Sequence, residues 1–184
     1  MAKLIVLEFM TLDGVMEAPE NWQFPYFSED VTAFNVAQIH ALDAQLLGRV
    51  TYDAFAESWA PMTNNEHGIA DKFNAMPKYV VSSTLQNATW NNSTIIRNAP
   101  EEIAKLKQEI DGTIGIIGSA TLVQSLMSTD LIDEYQLQIY PVVQGKGIRL
   151  FTDDSPSQSL KLIEQKTFQS GAILLTYQPD NSIG

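Results

Sequence analysis

The apolar residues of this chain recur in two rhythms. Short, nearly continuous apolar runs, the kind a strand covered on both faces requires, occur at 3–9, 44–47, 78–82, 95–96 and 114–117. Segments at helical spacing lie between them. The clearest starts at Pro100 with Glu101 and Glu102 beside it, sets Ile103, Leu106 and Ile110 on one face, and closes at Asp111-Gly112. Further helices are predicted over 29–41, with Ser28 as N-cap and Glu29 and Asp30 in the first turn, over 51–59, as a short piece within 64–74, and over 119–127. Strands and helices alternating in this way predict βαβ units around a mostly parallel sheet, with the 3–9 run near its centre.

The last third has a different rhythm. Tyr135, Leu137 and Ile139 alternate with Gln136, Gln138 and Tyr140, while 160–168 and 172–177 flank the turn residues Ser170-Gly171. This pattern predicts antiparallel strands, the last two forming a hairpin. The expected fold class is therefore α/β: one domain over 1–178, with a frayed tail over 179–184.

Composition narrows the chemistry. The 184 residues, 45% of them hydrophobic, suit a single domain that buries roughly 70% of its unfolded surface. There is no cysteine, so disulfides and thiolate zinc sites are excluded; with only His40 and His67 an imidazole-rich metal site is disfavoured, and no metal is expected. Neither histidine is placed as a base. A formal charge of -11, with eleven basic residues that form no cluster, disfavours nucleic acid as a partner. Glu8 interrupts the apolar run at 4–7 and no stretch approaches the roughly 20 residues of a membrane span, so a cytoplasmic location is expected.

Four places carry candidate chemistry. Gly48-Arg49-Val50-Thr51 follows a strand and opens a helix, so backbone N–H groups, a hydroxyl and a guanidinium can converge on an anion; an ordinary strand-to-helix turn with Arg49 solvated fits as well. Ser82-Ser83-Thr84 ends the next strand with three hydroxyls, and in a parallel sheet the strand C-termini line one crevice. Gly115-Ile116-Ile117-Gly118-Ser119-Ala120 runs from strand to helix without the spacing of a dinucleotide fingerprint or a P-loop; Gly118 permits close backbone approach, and Ser119 is placed to cap. Asp13 lies at the end of the first strand, on the same edge, before an aromatic loop holding Trp22, Phe24, Tyr26 and Phe27 that can cover a planar ligand. The segment Gly145-Lys146-Gly147-Ile148-Arg149 is a loop that supplies positive charge or flexibility.

Taken in order, Thr-Leu-Asp-Gly, Leu-Leu-Gly-Arg-Val-Thr-Tyr-Asp, Val-Val-Ser-Ser-Thr-Leu, Ile-Ile-Gly-Ser-Ala and Tyr140-Pro141-Val-Val-Gln-Gly-Lys-Gly resemble the dihydrofolate reductase-like superfamily. The resemblance is closer to stand-alone relatives of the reductase domain of bifunctional riboflavin-biosynthesis protein, and it covers roughly residues 3 to 177. It implies a three-layer αβα fold, NADPH across the strand C-termini, and hydride delivery to a pyrimidine or pteridine ring. Arg49 with Gly48, Thr51 and Ser82 or Ser83 would hold the adenosine 2'-phosphate, and the backbone at Gly118, Ser119, Ala120 and Thr121 the pyrophosphate. Asp13, Trp22, Phe24 and Tyr140 would border the nicotinamide and substrate, with Asp13 orienting a substrate amine or supplying a proton. A homodimer is also implied. Three departures bear on the substrate: the acid of folate reductases is missing from Trp22-Gln23-Phe24-Pro25-Tyr26-Phe27 or moved to Glu29 or Asp30, Met76-Pro77-Lys78 stands where their folate-clamping arginine falls, and His40-Ala41-Leu42-Asp43-Ala44 lacks the arginine that riboflavin reductases carry before the Gly-Arg turn. A protein that binds NADPH or another ligand on this fold without turnover is the alternative.

Overall fold

Successive side chains of the first strand face opposite ways, and this alternation sorts the molecule into layers. The computed structural model describes residues 1–180 and Ser182. Its elements run β1 (Lys3–Thr11), α1 (Glu29–His40), β2 (Ala44–Gly48), α2 (Arg49–Trp59), α3 (Ala70–Ala75), β3 (Lys78–Val81), β4 (Ser93–Ile96), α4 (Ala99–Glu109), β5 (Thr113–Ile117), α5 (Ala120–Leu126), β6 (Glu134–Tyr140), β7 (Leu160–Thr167) and β8 (Ile173–Pro179). From β1, Leu4, Val6 and Met10 enter a core shared with Ile103 of α4 and Leu122, Val123 and Leu126 of α5. Ile5 and Leu7 enter a second core with Ile39 of α1, Tyr52 of α2 and Phe73 of α3. Two helical layers thus sandwich one sheet.

The sheet has the order β4-β3-β2-β5-β1-β6-β8-β7. Strands β4 to β6 are mutually parallel, and β8 runs antiparallel to both β6 and β7. The expected fold class, a mixed and mostly parallel sheet ending in an antiparallel hairpin, is the one observed.

Local departures have identifiable causes. Strand β6 is antiparallel to β8 but parallel to β1, with Val6 beside Tyr135. Its alternating glutamines resemble a wet face, yet α1 covers them: Gln138 donates to Asn35 Oδ1 at 2.5 Å, and Gln136 accepts from Gln38. Ser28 occupies the N-cap position of α1, but its hydroxyl donates to Asp30 Oδ1 at 2.5 Å instead of accepting a backbone N–H. The 64–74 segment holds a single 3-10 turn at Glu66–Gly68 followed by α3. Pro179 closes β8 opposite Leu160, and the Asp180 N–H donates to the Ser159 carbonyl at 2.8 Å. The rest of the tail expected to fray, at 181 and 183–184, lies outside the described residues. No described helix is long and apolar enough to cross a membrane.

Candidate functional site

The C-terminal ends of β3, β2, β5 and β1 form one rim. The chain leaves β1 toward α1 on one face and β5 toward α5 on the other, so the rim contains a topological switch point, where sheets of this kind place ligands.

The turns after β2 and β5 interlock. The Gly48 N–H donates to Ser119 Oγ at 2.9 Å, and a Cβ on Gly118 would lie 3.2 Å from Thr51 Cγ2. Gly118 has φ +68, a left-handed conformation that favours glycine, and Ser119 shares it at φ 65. Ser119 was expected to cap its own helix; its hydroxyl instead ties the two turns together. Arg49 opens α2, donates from Nε to Asp53 Oδ2 at 2.8 Å, and reaches across to Thr84 Oγ1 at 3.1 Å. The guanidinium therefore leans toward the end of β3, where Ser83 and Thr84 are exposed. Ser82 is buried, and its hydroxyl accepts the Thr84 and Leu85 N–H groups at 3.2 and 3.0 Å, building the turn that displays its neighbours. Ala120 is nearly buried and Thr121 exposed at the start of α5.

Sequence reasoning missed Arg97. It follows β4 and donates to the Ser82 carbonyl at 2.5 Å and to the Leu85 carbonyl, pinning the same turn from the outside. Its position directly after a strand, on the ligand edge, was the only available signal.

Asp13 is a clamp. It accepts from Thr11 Oγ1 at 2.6 Å and from the Gln144 and Gly145 N–H groups at 3.1 and 2.7 Å, while Arg149 Nε donates to its carbonyl at 3.0 Å. The Thr11 hydroxyl foremost, then these amides, pull its carboxyl down to about 2. A carboxylate held there favours accepting from a substrate amine over supplying a proton. Glu17 adds a second stitch by accepting the Ile148 N–H at 3.0 Å.

The aromatic loop divides in two. Trp22 and Tyr140 are buried and meet edge to face with ring centroids 5.5 Å apart. Tyr140 donates to Gln138 Oε1 at 3.1 Å, and burial pushes its phenol above the usual range. Neither ring opens to solvent, so both serve as a floor. Phe24, 60% exposed, and Phe27 stand above it, 5.7 Å apart. The amide oxygen of Gln23, beside them in sequence, is buried without a partner among the described residues.

A second acid at the rim went unread. Glu8, near the end of β1, is 4% exposed; Oε2 accepts the Gly118 N–H at 3.1 Å and Oε1 has no partner among the described residues. Burial pushes its carboxyl well above the usual carboxylate range, against the lowering effect of the Gly118 amide. Two recesses of about 220 Å³ each lie elsewhere, one around Lys3, Leu42 and Glu134 and one around Asp130, Asp133 and Gln178.

Known proteins share this sequence pattern and fold. The chain is 31% identical over 180 residues to the uncharacterized protein YyaP of Bacillus subtilis, spanning 94% of this chain and 93% of the relative. Among solved structures, a putative riboflavin biosynthesis protein from a Shewanella species superposes with a TM-score of 0.79 at 21% identity, covering 98% of this chain and all of the other. Dihydrofolate reductase from Enterococcus faecalis, complexed with NADP(H), superposes with a TM-score of 0.65 at 14% identity over 97% of each chain. These likenesses show a dihydrofolate reductase-like fold. Residues 2–174 match the model of the RibD C-terminal domain, and the chain belongs to that family.

Proposed function

We propose that the chain is a reductase that takes NADPH along this rim and reduces a small planar heterocycle of the aminopyrimidine or pteridine type. Family membership, and a dihydrofolate reductase among the structural neighbours, support a reductase-type activity. The observation that carries the cofactor assignment is the reach of Arg49 to Thr84 beside the interlocked Gly48 and Gly118 turns.

The residues fit such a nucleotide. Arg49 with the exposed Ser83 and Thr84 hydroxyls offers charge-assisted donors for a 2'-phosphate. The exposed Arg49–Asp53 pair opposes this only weakly, because surface ion pairs are worth about 0–1 kcal/mol. The absence of a Cβ at Gly118 lets the turn close against Thr51, and the turn from Gly118 to the exposed Thr121 is where a pyrophosphate would lie. The cofactor supplies a hydride when bound. For its part, the protein fixes the 144–149 loop through Asp13, keeps Phe24 and Phe27 above the Trp22–Tyr140 floor as a cover for a planar ring, and offers the Asp13 carboxylate as an acceptor for a substrate amine.

A thermal shift with NADPH and NADH side by side tests the reading. Saturation at 100 times Kd stabilises a protein by about 2.7 kcal/mol, which for a chain of this size raises Tm by roughly 5–10 °C. NADPH should give that rise and NADH a smaller one; equal shifts, or none, sink the assignment. A protein that binds NADPH without turnover is favoured by one observation, the commitment of Asp13 to the loop. Stopped-flow oxidation of NADPH against pteridines and aminopyrimidines separates the two readings. The reading includes a homodimer, for which Leu162 and Ile163 on edge strand β7 and Ile173 on β8 offer an exposed apolar surface; sedimentation checks it.

A further inference from the structure

We infer that Glu8 is a proton-carrying residue of this site: one carboxyl oxygen holds the Gly118 amide, and the proton on the carboxyl governs how tightly the turn accepts an anionic nucleotide. The inference deepens the NADPH reading and rests on it.

Three observations converge. Glu8 shares the face of Val6 and Met10 in an otherwise apolar core, and it is the one charged residue type within β1 between Lys3 and Thr11. Its bond to the Gly118 N–H places the carboxyl directly beneath the glycine turn, within the switch point between β1 and β5. Its other oxygen, Oε1, is buried without a partner among the described residues. A buried carboxylate would leave that oxygen both charged and unsolvated, an expensive state; a neutral carboxyl accepts from Gly118 with Oε2 and carries its proton on Oε1. That O–H then lacks only an acceptor, which a ligand oxygen or a water across the turn can provide.

Among the described residues, no neighbouring charge does this work instead. Strand β5 and helix α5 carry no ionisable side chain. On β6, Glu134 lies beside Ile5, three residues down the strand, and is paired with Lys3; Tyr135 and Tyr140 are its other titratable groups. On α4, Lys107 is paired with Asp133. At the rim, Arg49 is engaged with Asp53 and Thr84, and Arg149 with the Asp13 segment. On α2, Thr51 packs against Gly118 without charge.

The sign follows from electrostatics. A pyrophosphate above Gly118 disfavours a second negative charge beneath it, so the nucleotide-bound protein holds the Glu8 proton to higher pH than the free protein. Between the two titrations binding takes up one proton, and affinity falls up to tenfold per pH unit. A merely structural prop would show no such dependence, because Glu8→Gln also accepts the Gly118 N–H.

The experiment measures the Kd for NADPH by fluorescence from pH 6 to 9.5 for the wild-type protein and Glu8→Gln, with proton uptake by the wild type from calorimetry in buffers of different ionisation enthalpy. We expect the wild-type affinity to fall at least tenfold more than that of Glu8→Gln across the range, with uptake approaching one proton where it falls. Parallel profiles, or no uptake by the wild type at any pH, overturn the role of Glu8 while leaving NADPH binding intact. The uptake measurement needs no variant and stands even if Glu8→Gln folds poorly. Absence of NADPH binding by the wild type at every pH overturns the cofactor reading itself, and this inference with it.

Discussion

The two halves of the rim are made of different materials. Over β3, β2 and β5 it consists of glycine turns, hydroxyls and arginines, with Gly48, Ser119, Thr84 and Arg49 joined by hydrogen bonds that leave donors facing outward. Over β1 and β6 it consists of rings packed edge to face on a buried floor, beside a loop held by two carboxylates. The first half suits a phosphorylated ligand of fixed shape, and the second a flat, largely apolar one. A protein that must bring two dissimilar molecules together along one edge gains from this division, since neither half competes for the other's ligand.

Removing charge from the polar half should have the largest effect. Arg49→Ala forfeits charge-assisted bonds to a phosphate, each worth about 1.5–3 kcal/mol, so NADPH affinity should fall roughly tenfold to hundredfold while NADH affinity barely moves. Equilibrium titration with both nucleotides checks it. If both affinities drop together, the polar half does not discriminate by the 2'-phosphate.

Next in size is the backbone of the same half. Gly118→Ala places a side chain at φ +68 and 3.2 Å from Thr51 Cγ2, at a cost of about 1–2 kcal/mol before any contact strain. Chemical denaturation should show that loss, accompanied by weaker NADPH binding. The aromatic half offers the contrasting test: Tyr140→Phe removes a buried hydroxyl bonded to Gln138, lowers stability by about 1 kcal/mol, and should leave NADPH affinity unchanged. A change in NADPH affinity there would show that the halves are not separate.

The smallest expected effect is the pH response of the clamp. Because the Asp13 carboxyl is depressed to about 2, its contribution is fully present above the ordinary carboxylate range and is lost progressively as pH falls from that range through its folded value. Amide exchange in the 144–149 loop, corrected for intrinsic rates, should be flat from pH 8 to 5 and rise below about pH 4. A step near neutrality would contradict the hydrogen bonding seen at Asp13.

The polar half was the more legible in sequence, for physical reasons. Doubly covered strands announce themselves as unbroken apolar runs, so β1, β2, β3 and β5 fell within a few residues of their predicted limits. The turns after them declared themselves through glycine and hydroxyl residues at strand-to-helix junctions. The other half depends on partners distant in the chain. Asp13 looks like half of an ordinary Asp-Gly turn until Gln144 and Gly145 close on it from 131 and 132 residues away. The glutamines of β6 mimic a solvated face, because nothing in their own segment tells that Asn35 and Gln38 will cover them. Glu8 was hidden for the opposite reason: one acid in an apolar run reads as an interruption, and its meaning appears only when Gly118 arrives above it.

The placement of β1 also carries a consequence for synthesis. Strand β1 is the fifth in the sheet, and its neighbours, residues 113–117 on one side and 134–140 on the other, are translated long after it. At about 5–20 residues per second, its open edges wait several seconds for those segments to be translated. The nascent chain therefore carries an unpaired β-edge on both sides of β1 for that whole interval.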